Sequence, residues 1–187
     1  MKNSQARLML DMDDASTLPA NFRKVDSLLA SGSGQFSDKS FQYMLSHLPN
    51  KHPLVVVDLR QECHGFANGM AISWYGIDNA ENSEKSYDDI HQEEEQRLNE
   101  LATNQEAYLH LQKPPAVDSP FHVTISHTAS ERAIVPSYIR FPVTDHLAPT
   151  LDVATNFVTF IQSLSKPTWL HFHCRKGRGR TTSFLAL

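Results

Sequence analysis

The sequence is poor in cysteine: Cys63 and Cys174 are the only two in 187 residues. Two thiols cannot supply the disulfide framework of a small secreted scaffold, so at least one is better read as a reactive thiol. There is no apolar run approaching the length of a membrane span, and no transmembrane helix is expected. Positive charge is not in excess either; the formal net charge is −4. Nonspecific nucleic-acid binding rests on a broad basic surface, so that class is set aside. The opening residues, Met1 to Asp14, lack the apolar stretch and small-residue cleavage site of a Sec-type signal. The expected location is therefore cytoplasmic, or reached by a non-Sec route as an exported effector would be.

The length suits one α/β core rather than two independent domains. Residues 1–30 are mixed in pattern, and Ser31-Gly32-Ser33-Gly34 reads as a loop ahead of a helix capped by Ser37 and running to about Leu48. Leu54 to Leu59 is a short β-branched apolar run, read as a buried parallel strand that delivers Arg60-Gln61-Glu62 into a loop. Ligands of open α/β sheets sit beyond the carboxyl ends of the strands, so that loop is well placed for function. Met70–Tyr75 reads as a further strand. Ser86 to about Gln105, with Glu93, Glu94 and Glu95 in succession, predicts a solvated helix. Phe121–Ser126 and Ala133–Val143 read as strands, the second interrupted by Pro136. Thr150 caps a helix to about Leu164, and Trp169–His173 is a last strand running straight into Cys174.

Chemistry concentrates in residues 173–181, His-Cys-Arg-Lys-Gly-Arg-Gly-Arg-Thr. Cys174 and Arg180 stand in the pattern Cys-x5-Arg-Thr where a strand gives way to a helix beginning near Arg180. A backbone that curls there can aim its amides at a tetrahedral dianion, and Gly177 and Gly179 supply freedom for the curl. Arg180 can return its guanidinium fork across two phosphoryl oxygens, which Lys could not do. Cys174 then attacks phosphorus to give a cysteinyl-phosphate. Thr181 is placed to hydrogen-bond the sulfur, and Asp145, in a loop between a strand and a helix, is the candidate acid for the leaving oxygen. His146 beside it shapes that loop, contacts substrate, or, as a lone loop histidine more often does, simply lies at the surface.

A zinc reading of His171, His173 and Cys174 is weaker, because no second Cys pair exists and a metal on Cys174 would quench the nucleophile. No metal or other cofactor is expected. His173 is read as orienting the loop, His171 as a satisfied core residue, and Cys63 as structural.

Several motifs together resemble those of the protein-tyrosine-phosphatase-like phytases, the inositol polyphosphate phosphatases of bacteria. They are Leu18-Pro19-Ala20-Asn21-Phe22-Arg23, Ser31 to Ser37, Asp58 to Gly65, Asn68-Gly69, Ser73-Trp74-Tyr75, Val143 to His146 and Trp169 to Cys174. The resemblance implies a tyrosine-phosphatase core, a central and mostly parallel sheet flanked by helices, with a small β-rich subdomain inserted at about 60–135. It implies metal-free, stepwise removal of phosphates from a small polyanion such as phytate; the composition adds that neither nucleic acid nor membrane is the expected partner. By match to the motifs, Cys174 is the nucleophile, Arg180 the phosphate clamp, Asp145 the acid and Arg60 a ligand for substrate phosphates. Arg175, Lys176, Arg178 and the loop glycines complete the expected phosphate-binding set.

Two departures stand out. The position after the nucleophile is often acidic in that family and the next small, whereas here they are Arg175 and Lys176. Cys63 stands where Ser is common. Only six residues follow Thr181, so the expectation at this stage is a C-terminally truncated member of the family. A tyrosine or dual-specificity phosphatase, and an inactive phosphate-binding fragment, stay open as alternatives.

Overall fold

The computed structural model describes residues 6–80, 82–111 and 116–187; the first residues of the segment read for an export signal lie outside that range. Among the described residues, with two short 3-10 helices between them, eleven strands and five α-helices follow in chain order. They are β1 (Arg7–Met12), β2 (Arg23–Val25), β3 (Ala30–Ser33), α1 (Asp38–Leu45), β4 (Leu54–Arg60), β5 (His64–Ala67), β6 (Met70–Tyr75), α2 (Tyr87–Asn104), β7 (Glu106–Leu109), β8 (Phe121–Thr124), β9 (Thr128–Ala129), α3 (Glu131–Ile134), β10 (Tyr138–Val143), α4 (Leu151–Ser163), β11 (Trp169–His173) and α5 (Gly179–Leu185).

The central sheet has the order β10-β4-β11-β3-β2 and is parallel except for β2. Its strands alternate strictly, as the pleat requires. Val57 and Leu59 of β4, Phe141 and Val143 of β10, and Leu170 and Phe172 of β11 bury on one face against Phe157 of α4 and Phe184 of α5. The opposite face carries Asp58, Arg60, Arg140, His171 and His173, all buried. A second sheet, antiparallel and ordered β1-β6-β5-β9, together with α1 and α3, covers that charged face; Phe36, Phe41, Met44, Phe66 and Ala71 pack there with Val56. A third cluster, including Ile72, Leu98, Leu109 and Ile125, fills the space beneath α2 and the β7-β8 ribbon.

Residues 60–135 thus hold strands and one long helix, and their sheet is completed by β1 from the N-terminal segment, which pairs with β6. Among the described residues no helix is long and apolar enough to cross a membrane.

Three local expectations change. The segment Ser31–Ser33, read as a loop, belongs to β3 inside the central sheet. A Cβ on Gly32 would stand 2.6 Å from Thr181 Cγ2 and 2.9 Å from Leu185 Cδ1, so glycine lets α5 lie directly on the strand. Ala133–Val143 is not one strand: Ser130 opens the short α3, and only after Pro136 does the chain extend as β10, an edge strand that tolerates Pro142 within it. Within α2 the acidic run is not wholly solvated. Ile90, Glu94 and Leu98 share a buried stripe, and Glu94 accepts from Arg140 Nη1 at 3.0 Å.

Candidate active site

β11 ends at His173 and places Cys174 at the bottom of a cleft of about 850 Å³. Arg175, Lys176, Arg178, Gly179 and Arg180 line it from the loop and α5, Asp145, His146, Leu147 and Ala148 from the segment after β10, and Tyr75 and Leu111 line it as well. Thr181, buried in the first turn of α5, donates from Oγ1 to Cys174 Sγ at 3.1 Å. The loop between them turns at Gly177, φ +69°, where a Cβ would come within 2.2 Å of Gly34 N. Only glycine fits there. The same need does not arise at Gly179, where an added Cβ meets open space.

Arg180 is held from below. Its Nη1 and Nη2 donate to Glu62 Oε2 and Oε1 at 2.7 and 2.9 Å, and Nη1 also reaches Val143 O at 3.0 Å. On the cleft side Nη2 lies 3.1 Å from Asp145 Oδ1, while Asn79 Nδ2 donates to Asp145 Oδ2 at 3.0 Å. The buried Nε of Arg180 has no hydrogen-bond partner among the described residues. Burial opposes ionisation of Glu62, but the guanidinium groups of Arg180 and Arg60 outweigh it and hold the carboxyl well below its ordinary range. The fork is fixed by a bidentate pair and kept charged.

Arg60 requires a correction. Expected to meet substrate phosphates directly, it is wholly buried and does not line the cleft. Its Nε donates to Glu62 Oε1 at 2.9 Å and its Nη1 to Gln35 Oε1 at 2.8 Å, with Asp11 Oδ2 at 2.9 Å. The reason is the pleat: Arg60 lies two residues beyond Asp58 on the covered face of β4. It shares Glu62 with Arg180 and so supports the site from behind. Arg175 does line the cleft, but its Nε donates to Asp11 Oδ1 at 2.6 Å and its guanidinium carbon sits 4.9 Å from the centre of the Tyr75 ring. Asp11 is buried, yet Arg60 and Arg175 lower its pKa.

His173 lies under the site, not in it. Its Nε2 is 2.6 Å from Glu131 Oε1 and 3.8 Å from Asp58 Oδ1, without an aligned hydrogen bond to either. His171 sits between Ser31 and Ser33, its Nδ1 and Nε2 at 2.9 and 3.1 Å from their hydroxyls. Among the described residues no cluster of His, Cys, Asp and Glu has a metal-ligand arrangement. Cys63 is buried beside Asn82, and burial pushes its thiol up to about 11. His146 has a positive φ of 63° and an exposed ring.

The fold brings Cys174, Arg180, Asp145 and the loop residues Arg175, Lys176, Arg178 and Gly179 to one cleft, with Thr181 hydrogen-bonded to Cys174. Sequence reasoning gave no role to Glu62, Asp11, Asn79 or Tyr75. Glu62 carried a signal in its spacing from Arg60; Asp11 carried none, being joined to the site only by the fold.

Residues 57–187 match the PTP-like phytase family, described by inositol hexakisphosphate. A tandemly repeated protein tyrosine phosphatase like phytase from Mitsuokella multacida superposes with a TM-score of 0.93 at 31% identity, covering 100% of this chain and 37% of its own. The PTP-like myo-inositol phosphatase of the same organism, solved in complex with myo-inositol-(1,3,4,5)-tetrakisphosphate, gives 0.90 at 31% identity over 97% of this chain and 36% of its own. Effector protein hopD2 of Pseudomonas syringae pv. tomato is 28% identical over 144 residues, 72% of this chain and 31% of that protein. The chain thus spans about a third of the length of these relatives.

Proposed function

The chain belongs to the PTP-like phytase family, and from that premise we propose that it hydrolyses phosphomonoesters of inositol polyphosphates through a cysteinyl-phosphate on Cys174. The observation that carries this reading is the set of groups lining one cleft: a thiol at the floor, an arginine fork beside it, and a carboxylate on the facing loop.

In the first step Cys174 sulfur attacks phosphorus and the bond to the leaving alkoxide breaks, with Asp145 delivering the proton that the departing oxygen needs. In the second, water attacks the phosphorus, Asp145 takes its proton, and the sulfur–phosphorus bond breaks while Thr181 donates to the departing sulfur. Arg180 stabilises the equatorial oxygens throughout. Lys176 and Arg178 line the same cleft and suit further phosphates of a polyanion better than the single phosphate of a phosphotyrosine. The region 60–135, which supplies Tyr75, serves as a subdomain walling that cleft. The relative solved with an inositol tetrakisphosphate and the family description point to the same substrate class.

The test is phosphate release from phytate and from a phosphotyrosine peptide, with and without chelator. Wild type is expected to prefer phytate and ignore the chelator, and Cys174→Ser to lose at least about a thousandfold. A strong preference for the peptide would remove the substrate assignment and leave the chemistry. Asp145→Asn is expected to cost about a hundredfold on an alkyl phosphate and much less on an activated aryl phosphate; equal losses would remove Asp145 as the acid.

A further inference from the structure

Three successive carbonyls of the phosphate loop are held from outside by the N-terminal segment. Gln35 N donates to Arg175 O at 3.2 Å, Asn21 Nδ2 to Lys176 O at 2.8 Å, and Arg23 Nη1 to Gly177 O at 2.7 Å. Arg23 also donates from Nη2 to Thr182 Oγ1 at 2.9 Å, so one guanidinium ties the loop to the first turns of α5. None of these donors lines the cleft that holds Cys174; Asn21 and Arg23 border a separate groove on the outer side of the loop.

A trans peptide is planar, and its C=O and the following N–H point in opposite directions. Fixing the carbonyls of Arg175, Lys176 and Gly177 outward therefore turns the amides of Lys176, Gly177 and Arg178 the other way, toward the anion. An unfixed loop of this composition would pay to orient those planes each time it bound a phosphoryl group; a fixed one has them oriented beforehand.

We propose that Asn21 and Arg23 are positioning residues for the phosphate loop, acting through the Lys176 and Gly177 carbonyls to hold the loop's amides inward. The inference rests on the reading of residues 174–180 as a phosphoryl-binding loop. Their surroundings fit the role. Asn21 has φ +56°, a left-handed conformation that brings its amide under the loop. Arg23 lies on β2, paired with Gly32 of β3, the strand on which α5 packs. The Leu-Pro-Ala-Asn-Phe-Arg motif thereby gains a physical purpose that its position far from the nucleophile concealed.

The experiment is calorimetric titration of inorganic phosphate into the whole protein, alongside the melting temperature and the kinetics on phytate. Arg23→Met is expected to weaken phosphate about tenfold, the size of one charge-assisted hydrogen bond, and Asn21→Gly about threefold or more. Asn21→Gly keeps the left-handed backbone and removes one donor, so it remains informative where Arg23→Met fails to fold. Arg23→Lys, which keeps one donor for the Gly177 carbonyl, is expected to recover most of the loss. Lower melting temperatures with phosphate affinity within twofold of wild type would reduce both residues to structural supports and overturn the proposal. So would a wild-type protein that binds no phosphate. Phosphate binding that falls as expected in a protein inactive on phytate would instead remove the substrate reading and leave this inference standing.

Discussion

The two faces of the central sheet come from alternate residues of the same strands, yet they are held by different forces. On one face Val57, Leu59, Phe141, Leu170 and Phe172 meet α4 and α5 in an apolar cluster. On the other, Asp58, Arg60, Arg140 and His173 meet Asp11, Glu94 and Glu131 from the covering elements. Apolar burial is non-directional and supplies stability without fixing orientation. Buried ion pairs return little net stability, because desolvation offsets their attraction, but they fix the direction of a guanidinium fork. The site stands where the ionic face ends, with Glu62 gripping both Arg60 and Arg180. In this fold the apolar face holds the domain together while the ionic face fixes the direction of the Arg180 fork.

The sharpest way to break that division is to remove Glu62. Glu62→Ala leaves two buried guanidinium groups short of a counter-charge and is expected to cost about 4 kcal/mol in urea unfolding. Turnover of the folded fraction should also fall at least about a hundredfold, as the Arg180 fork loses its fixed direction. Phe157→Ala is the matched lesion on the apolar face, where Phe157 packs on Phe141, Phe172 and Phe184. It should cost about 3 kcal/mol by cavity formation. Its kcat/KM, measured well below the melting temperature, is expected to stay within about threefold of wild type. A loss of turnover as deep as that of Glu62→Ala would end the separation of roles.

The apolar face was legible in the sequence because each element carried its own periodicity: the β-branched run of β4, the helical spacing of α4 and the strand before Cys174. The loop at residues 174–181 was legible for a similar reason, since its cysteine, glycines, arginine and threonine all fall within eight residues and make a local structure. The ionic face was not. β3 read as a turn because Ser31, Gly32 and Ser33 are turn formers, and only the distant α5 and His171 explain why that composition suits a central strand. Arg60 read as a substrate ligand by match to the family's motifs, while its partners Asp11 and Gln35 come from segments remote in sequence. Charge pairing between remote strands has no period, so it leaves no trace in a single sequence.

The smallest expected effect tests the ionic face through its histidines. Burial would lower the pKa of His64, but the Asp58 carboxylate, assisted by Glu94, outweighs burial and other charges and raises it to about 10. A raised pKa gives stability that is complete below about 6.5, the unfolded value, and is lost as pH climbs toward 10. His171 does the opposite: burial first, then the neighbouring His173, lowers its pKa to about 3. Its contribution is complete above about 6.5 and is lost as pH falls toward 3, because the unfolded chain takes up the proton first. Glu131 steepens the acid side from about 4.5 downward, since despite burial the adjacent His173 helps lower its pKa to about 2. Stability should therefore peak near pH 6.5 and fall on either side. Urea midpoints measured from pH 4 to pH 9 check this, with His171→Gln expected to flatten the acid limb and His64→Gln the alkaline one. A profile left unchanged by both substitutions would mean that the charged face does not set the pH response, and the contrast between the two faces would lose its electrostatic half.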